Sequence, residues 1–284
     1  MPDIIVRVKT KEQLLCIPEN DAICAVIVDS ACASLAKEQK ETYRNRRIFL
    51  QLPDILKEDK ARLQEALLKE ADAFDGLVVK TFDQLGLIKY FLEENGRKME
   101  VIGDAFLYSY NPDALSFYRE LFADIKWILP DELTGREIAG LTESAISRGL
   151  SSGGDFVFKV YGYQPLMVTN QCIRKNYQGC KKAAPAGIRF TDEKNNAFYA
   201  VNDCTYCYNL IYNGQPTNLL DKVQYEGERF LVGEIEFANL LIDLTMENKK
   251  ETVQIMEDLD RILRKEPIVL KGNYTRGHYY KGVE

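Results

Sequence analysis

Residues 76–104 read Gly-Leu-Val-Val-Lys-Thr-Phe-Asp-Gln-Leu-Gly-Leu-Ile-Lys-Tyr-Phe-Leu-Glu-Glu-Asn-Gly-Arg-Lys-Met-Glu-Val-Ile-Gly-Asp, and this stretch predicts one strand–helix–strand unit. The run 76–79 is apolar and of strand length, and Thr81 stands where a helix N-cap is expected. Residues 82–92 place their apolar side chains at helical spacing, and residues 100–104 form a second short apolar run. Two strands joined by such a helix indicate a parallel pair with a crossover connection.

The same alternation of apolar runs and amphipathic stretches continues along most of the chain. Helical spacing recurs in residues 57–73 and 247–264, among others. Eight strand–helix units close into a barrel, and a length of 284 residues suits one barrel. We therefore expect an α/β fold: a single TIM-like (β/α) barrel domain over residues 1–284, either closed or incomplete. The predicted strands are residues 4–8, 23–28, 47–52, 76–79, 100–104, 125–129, 156–160 and 240–244.

Residues 168–236 do not follow this alternation. They predict a cysteine-bearing insertion between the seventh and eighth strands of the barrel. Within the insertion, residues 188–191 and 197–201 are short runs on either side of the polar turn Glu193-Lys-Asn-Asn196, which predicts a β-hairpin.

Four of the seven cysteines lie in or beside this insertion, at Cys172, Cys180, Cys204 and Cys207. Their spacing is C-x7-C, a gap of 23 residues and then C-x2-C, so a hairpin in the gap would bring the two pairs together. A set of four thiolates selects zinc or an iron–sulfur cluster. The simpler interpretation is four small buried side chains, since free cysteine packs well in a core.

The amino-acid composition limits the classes of protein to which the chain can belong. Apolar residues make up 46% and charged residues 28% of the chain, with a formal net charge of −6, which is typical of a globular protein with no overall attraction to nucleic acid. The charged first residues argue against an export signal, and no uncharged apolar run is long enough for a membrane span. Together with an odd cysteine count, these features predict a cytoplasmic location. The remaining cysteines, which we expect to be buried thiols, are Cys16, Cys24 and Cys32.

One segment departs from the acidic average. Residues 156–191 contain no acidic side chain, and basic and aromatic side chains alternate there. This pattern suits contact with a nucleic-acid backbone and stacking on bases, so RNA is a candidate partner, with Arg174 and Lys175 as candidate binding residues. Alternatively, these cations offset the charge of four thiolates or form a solvated rim. The basic residues are Lys159, Arg174, Lys175, Lys181, Lys182 and Arg189.

Polar residues that follow the predicted strands are candidates for chemistry, because the active site of a (β/α) barrel lies at the carboxyl ends of its strands. Asp104, which follows Gly103, and Glu132 are the candidate catalytic residues, and Tyr161 is a candidate substrate contact. Acidic residues at such places also serve as turn formers and helix caps. We expect Asp29, Asp104, Glu132 and Tyr161 on one face of the barrel.

The C-terminal residues 266–284 predict a docked tail. Glycines permit close backbone contact and the tyrosines would bury a large area on docking. His278 is the only histidine, which excludes metal sites with two histidines, and it is a catalytic candidate if the tail covers the barrel. Arg276 would then hold a carboxylate or phosphate close to the cysteines, or would pair with Glu132 or Asp104 and only close the barrel.

Several of these motifs resemble the U-thirty-two family of collagenase-like peptidases. The similar stretches are Gly162-Tyr-Gln-Pro-Leu-Met-Val-Thr169, Cys204-Thr-Tyr-Cys-Tyr-Asn-Leu-Ile-Tyr-Asn213 and the tail Tyr274-Thr-Arg-Gly-His-Tyr-Tyr-Lys-Gly-Val-Glu284. Gly103-Asp104 and Pro130-Asp-Glu-Leu-Thr134 are similar to two further motifs of the family, although Tyr108 stands where the family has an asparagine.

The resemblance implies either a protease or an iron–sulfur enzyme. Family members of the second kind hold a four-iron four-sulfur cluster on the positions of Cys172, Cys180, Cys204 and Cys207, and they hydroxylate RNA bases or a quinone ring without oxygen, with prephenate as the oxygen source. The sequence matches only the second half of long members, which implies an N-terminal half or a homologous chain as partner. A non-catalytic subunit with zinc on the four cysteines is the third alternative.

Overall fold

The computed structural model describes residues 3–42, 46–55, 73–180, 187–204, 206–226 and 229–282. Its main sheet closes into a barrel of eight parallel strands, in the order β1 to β7 and then β14, which pairs with both β7 and β1. The predicted TIM-like (β/α) barrel is therefore confirmed, and it is closed. Its strands are β1 (Asp3–Val8), β2 (Ile23–Val28), β3 (Arg47–Gln51), β4 (Gly76–Val79), β5 (Glu100–Gly103), β6 (Lys126–Ile128), β7 (Phe156–Thr169) and β14 (Asn239–Asp243).

Helices follow the strands on the outside of the barrel, and several begin at a capping side chain that the sequence predicts. The hydroxyl of Thr81 accepts a hydrogen bond from the amide of Gln84, and Asn111 caps the next helix in the same way. The helix predicted for residues 57–73 lies almost wholly outside the described residues. The described helices are α1 (Lys11–Leu15), α2 (Ala33–Thr42), α3 (Phe82–Glu94), α4 (Pro112–Leu121), α5 (Gly135–Ser147), α6 (Ile173–Gln178) and α7 (Lys249–Leu263).

The barrel interior has an apolar layer below a charged layer. Successive side chains of a strand point to opposite faces, so residues two apart share the interior. Ile5, Val157 and Leu241 belong to a small buried cluster to which every barrel strand contributes. Two positions further along the same strands stand Arg7, Lys159 and Asp243, all buried. The charged layer therefore lies at the carboxyl ends of the strands, at the mouth of the barrel. A larger apolar cluster packs the outer face of the sheet against the helices.

Strand β7 is longer than the sequence suggested. We predicted its end at Val160, but it continues to Thr169. Its second half leaves the barrel and pairs antiparallel with a later strand of the insertion. The chain departs at Gly162, where an added Cβ would lie 2.8 Å from the Cβ of Asp243, so only glycine fits this close approach to β14.

The insertion between β7 and β14 forms two small units. The predicted hairpin is present as β8 (Ile188–Thr191) and β9 (Ala197–Asp203), and β9 pairs with β10 (Tyr208–Asn218), which in turn pairs with the extension of β7. A separate three-stranded antiparallel sheet, which the sequence did not predict, follows as β11 (Val223–Glu226), β12 (Arg229–Val232) and β13 (Ile235–Phe237).

The tail beyond α7 docks on the insertion and the barrel wall. Thr275 donates its amide to the carbonyl of Pro216 and accepts from the amide of Asn218, so it bridges the end of β10. Tyr279 donates its hydroxyl to the carbonyl of Val232 at 2.5 Å, and its ring lies against Phe158. Within the described part of the chain, no helix has the length and apolar character that a membrane crossing requires.

Candidate functional site: two adjoining cavities at the barrel mouth

Buried ion pairs hold the charged layer at the mouth. Arg7 bonds the carboxylates of Asp104, at 2.5 Å, and Asp243, at 3.1 Å. Lys159 pairs with Asp131. Burial alone would raise the pKa of Asp104, but the charges of Arg7 and Lys80 outweigh it and the pKa is lowered. Asp104 is therefore ionised, and Arg7 compensates its charge at the barrel mouth.

One interaction ties the insertion to the barrel mouth. The hydroxyl of Tyr208, the first residue of β10, donates to Asp54 at 2.9 Å, and Asp54 pairs with Lys80 at 2.5 Å. The same hydroxyl accepts the amide of Asp54 at 3.1 Å. Burial would raise the pKa of Asp54, but Lys80 and Lys9 outweigh it and hold the pKa at about 2. Because Cys207 directly precedes Tyr208, this contact fixes the second cysteine pair above the barrel.

A cavity of about 720 Å³ lies between the hairpin β9–β10 and the barrel mouth. One face of the hairpin forms its roof, through side chains that are paired across the two strands. The carboxyl ends of β1, β2 and β14 form its floor. We call this space the mouth cavity. Its roof residues are Tyr199, Val201, Asp203, Tyr208, Leu210 and Tyr212, and its floor includes Lys9, Thr10, Asp29, Thr245 and Glu247.

Two ionisable side chains of the floor, Glu247 and Lys9, are held in different ways. Glu247 is 5% exposed, and its Oε2 accepts the amide of Thr245 at 2.5 Å, while its Oε1 is enclosed by protein. Burial raises the pKa of Glu247 to about 7, although hydrogen bonds from Thr245 and from the phenol of Tyr161 oppose the shift. The ammonium of Lys9 has no hydrogen bond or ion pair among the residues that the structure describes. Burial would lower the pKa of Lys9, but Tyr212, Asp54 and Asp29 raise it, so it carries its proton.

The four cysteines of the insertion line a second cavity of about 350 Å³. Cys172 is the N-cap of α6, and Cys204 and Cys207 lie in the turn between β9 and β10. Cys172 and Cys204 are half-buried, while Cys180 and Cys207 are exposed. We call this space the cysteine cavity. It adjoins the mouth cavity, since both are lined by Asn202, Asp203 and Cys204.

The surroundings of the thiols suit a metal centre in some respects. The side-chain amide of Asn202 donates to Cys172 Sγ at 3.2 Å, and the backbone amide of Lys175 donates to the same sulfur at 3.4 Å. Burial, and then the charges of the other three cysteines and of Asp203, raise the pKa of Cys204. Thiolates at this site therefore need a positive centre. Among the described residues, no group of three or more histidine, cysteine or acidic side chains is arranged to hold a single metal ion.

The structure places the predicted acidic and tyrosine residues at one end of the barrel. Asp29, Asp104 and Glu132 follow the carboxyl ends of β2, β5 and β6, and Tyr161 lies in β7 where that strand leaves the barrel, so all four are at the same end, as predicted. Asp104 and Glu132 line a small cavity of about 110 Å³, together with Arg7 and Lys159, and do not line the mouth cavity. Tyr161 is only 5% exposed and its phenol contacts Glu247, so it supports the floor instead of forming a substrate surface.

The remaining candidates fall in two groups. Arg174 and Lys175 lie on α6 directly after Cys172, and Lys175 lines the cysteine cavity; Lys181 and Lys182 lie outside the described residues. Arg276 does not approach the cysteines, contrary to our prediction. Its guanidinium pairs with Asp221 in a two-pronged contact, with Nη2 at 2.8 Å from Oδ2, and donates to the carbonyl of Asn218.

The tail contacts the C-terminal end of β10, whereas the cysteines lie at its N-terminal end, and this is why Arg276 is not near them. Gly277 packs on Thr217, near the last residue of β10, whereas the cysteines flank its first residue, Tyr208. His278 is half-buried on this tail. Our alternative, in which Arg276 pairs with Glu132 or Asp104, is also wrong, because its partner is Asp221.

Of the three other cysteines, Cys32 is buried as expected, while Cys16 and Cys24 are half-buried. Sequence analysis missed Lys9, Lys80 and Glu247, whereas Asp54 was among the acidic residues expected at the strand ends. Lys9 and Lys80 each follow the last residue of an apolar strand, so the rule that pointed to Asp104 would also have found them. No local pattern marks the unpartnered oxygen of Glu247, because it depends on the contact with Tyr161 and on burial beneath the hairpin.

No model of a known protein family matches the chain, and no curated protein matches it either. Among solved structures, it is similar to a chitinase from Chromobacterium violaceum ATCC 12472, with 10% identity and a TM-score of 0.42 over 91% of this chain and 99% of that one. It is also similar to the spore cortex-lytic enzyme SleL of Bacillus megaterium QM B1551, with 12% identity and a TM-score of 0.34 over 90% of this chain and 73% of that one. Neither likeness bears on the function of this chain.

Proposed function

We propose that the chain is an iron–sulfur protein of the U-thirty-two peptidase family, and that it hydroxylates the ring of an RNA base, or a related ring, without oxygen. One observation carries the proposal. Four cysteines line a cavity of about 350 Å³ that adjoins a cavity of about 720 Å³ at the mouth of a (β/α) barrel, the end at which such barrels bind substrates.

The volume of the cysteine cavity supports a centre larger than a single ion. The four thiols line one space of about 350 Å³. A four-iron four-sulfur cluster is wider than a zinc ion and is held by four cysteine thiolates. The hydrogen bonds to Cys172 from Asn202 and from the amide of Lys175 are of the kind that tunes cluster potentials. The raised pKa of Cys204 means that a positive centre must stabilise the thiolate form.

The cluster would supply electron transfer beside the mouth cavity, and the protein would supply binding and protons. The proposed reaction replaces a ring C–H bond by C–OH, a two-electron oxidation of the ring. An oxygen donor balances it by giving up one oxygen atom and taking up the two electrons. The half-buried ring of Tyr199 in the roof of the mouth cavity offers a stacking surface for the substrate ring.

The surface near the cysteine cavity supports RNA as the carrier of that ring. Lys175 is exposed beside Cys172, and Arg189 is exposed on β8. Phe190 is 39% exposed and stacks on Phe198, with ring centroids 5.6 Å apart. Exposed cations and an exposed aromatic ring on the insertion suit contacts with phosphates and unstacked bases.

The first test is the metal content of the protein purified without oxygen. We expect about four irons and four sulfides per chain, with a broad visible absorbance that reduction bleaches. Cys172→Ser and Cys204→Ser should lose the iron. Cys16→Ser, a half-buried cysteine outside the insertion, is the matched control and should retain it. One tightly held zinc per chain and no iron would instead support a structural site in a non-catalytic subunit.

The second test is the reaction. RNA from cells that lack the protein should lose a nucleoside whose mass exceeds that of its parent by one oxygen atom, and wild-type protein should restore it. Restoration by the Cys172→Ser variant would contradict the proposal. Peptide cleavage that survives loss of the iron would support the protease alternative.

A further inference from the structure

The three-stranded sheet β11–β13 covers a part of the barrel wall where a helix would normally lie. Each strand of a (β/α) barrel is usually followed by a helix on the outer wall, but β7 is followed by the insertion instead. The ring of Phe237 in β13 stacks on Phe158 in β7, with centroids 4.5 Å apart, and β11 packs beside α7. The opposite edge of this sheet is β13, and α5 lies across a gap from it.

The gap is a groove of about 690 Å³, which we call the wall groove. One stripe of α5 lines one side, and residues 234–238, which include the whole of β13, line the other. The loop of residues 152–154, which directly precedes β7, also contributes to the lining. The wall groove therefore lies towards the amino ends of the strands, away from the barrel mouth. The stripe of α5 consists of Ala139, Thr142, Glu143 and Ile146.

Strand β13 offers an open backbone edge to the wall groove. The turn that leads into it has two residues, Gly233 and Glu234, and Val232 pairs with Ile235 across this turn. In an antiparallel hairpin with a two-residue turn, the residues that flank the turn exchange both backbone hydrogen bonds, and the next pair exchanges none. The N–H and C=O of Glu236 therefore point away from β12, to an edge that no strand of the described chain covers. Such an edge can accept an added strand.

The wall groove combines apolar surface with an acidic rim. Two buried phenylalanine rings contribute to its floor, and Ile146, which is 49% exposed, stands on the α5 side. The acidic side chains that line it, Glu143, Glu234 and Glu236, are all exposed. Glu236 pairs with Arg229 at 2.6 Å, whereas Glu143 and Glu234 form no ion pair with a described residue. The rim therefore carries two negative charges that are not compensated locally.

We infer that the wall groove is a docking site for an extended basic segment of another protein, which adds to the edge of β13 as one more strand. The backbone of the segment bonds the N–H and C=O of Glu236. Its side chains point alternately to two faces, so apolar ones enter the groove against Ile146 while lysine or arginine side chains reach Glu143 and Glu234. A partner bound here leaves the mouth cavity and the cysteine cavity open.

The test uses a six-residue peptide of alternating lysine and valine, labelled with a fluorophore, and the full-length protein. Fluorescence anisotropy should show saturable binding. A peptide with glutamate in place of lysine should bind at least about tenfold more weakly, because like charges then meet at the rim. A basic peptide with N-methyl groups on two successive central residues keeps its charge but cannot donate from either edge of the strand. It should also bind about tenfold more weakly or worse.

Variants of the protein test the two sides of the wall groove. Glu143→Gln and Glu234→Gln each remove one uncompensated charge and should weaken binding of the basic peptide about two- to fivefold. Ile146→Ser removes the apolar contact and should weaken it about tenfold. The matched controls are Glu257→Gln, exposed on α7, and Leu15→Ser, exposed on α1, and both should bind the peptide like the wild type.

No saturable binding, equal binding of the acidic peptide, or unchanged affinity in Glu143→Gln and Ile146→Ser would overturn the inference. A dimer of the protein that Ile146→Ser dissociates would also overturn it, because a second copy would then fill the groove. The inference involves none of the cysteines, and iron measured on the same samples separates it from the proposed function. Protein without iron should bind the basic peptide as tightly as protein that contains it.

Discussion

At the residue scale, the buried carboxyl groups at the mouth of this barrel differ in their pKa values. Asp54 and Asp104 face cations and their pKa values are lowered. Glu247 faces no cation in direct contact, and burial raises its pKa to about 7. Environment alone thus separates carboxyl groups of the same type into permanent anions and one group that titrates near neutrality. A group of the latter kind suits the exchange of protons with a ligand.

The raised pKa of Glu247 predicts a dependence of stability on pH. The folded protein keeps the Glu247 proton up to pH about 7, whereas the unfolded chain loses it near the ordinary glutamate pKa of 4.5. Between these values the folded state binds more protons, so this group's contribution to the free energy of unfolding falls as pH rises, by about 3 kcal/mol in total. After burial, the amide of Thr245 and the phenol of Tyr161 favour the ionised form of Glu247, while the negative charge of Asp243 opposes its ionisation.

Glu247→Gln removes this contribution. Relative to the wild type, the variant should therefore gain stability between pH 5 and 7.5, by about 2–3 kcal/mol in urea unfolding. Glu257→Gln, on the surface of α7, should track the wild type at both pH values. A Glu247→Gln curve parallel to the wild type would show that Glu247 is ionised throughout.

At the element scale, sequence periodicity predicted the barrel because each of its strands is a local apolar run between helices. The hairpin β8–β9 was equally visible, since a polar turn separates two short runs. The extension of β7 could not be predicted from the local sequence. It is stabilised by pairing with β10, some 40 residues later in the chain, as in Val168 with Leu210. The four cysteines were found by spacing alone, whereas the mouth cavity arises only when the hairpin folds over the strand ends.

The contact between Tyr208 and Asp54 gives the hairpin its position. Tyr208→Phe removes the hydroxyl and leaves an acceptor of Asp54 with one bond fewer, which should cost about 1–2 kcal/mol of stability. Since Cys207 is the neighbouring residue, the variant should also release iron to a chelator several-fold faster. Tyr199→Phe, which removes the hydroxyl of another roof tyrosine, is the control. Equal rates of iron release in both variants would show that the hairpin is held by its apolar contacts alone.

At the scale of the whole molecule, the two ends of strand β10 in the insertion have different structural roles. The first residues of β10 place the cysteines over the barrel mouth, and its last residues receive the tail. The tail also bonds α5 and the three-stranded sheet, through Tyr279 to the amide of Gly135 and the carbonyl of Val232. The tail therefore joins the barrel wall to the insertion, at a place where it contributes nothing to the cysteine cavity.

This arrangement predicts that the tail can be weakened without loss of the metal centre. Arg276→Lys keeps the charge but loses the two-pronged contact with Asp221, so it should lower the free energy of unfolding by about 1 kcal/mol. Truncation after Lys271 should cost several times more, because it uncovers the face of Phe158 on which Tyr279 lies. Both proteins should keep the iron content of the wild type at a temperature where they remain folded. Loss of iron in folded Arg276→Lys protein would mean that the tail reaches the cysteine cavity after all.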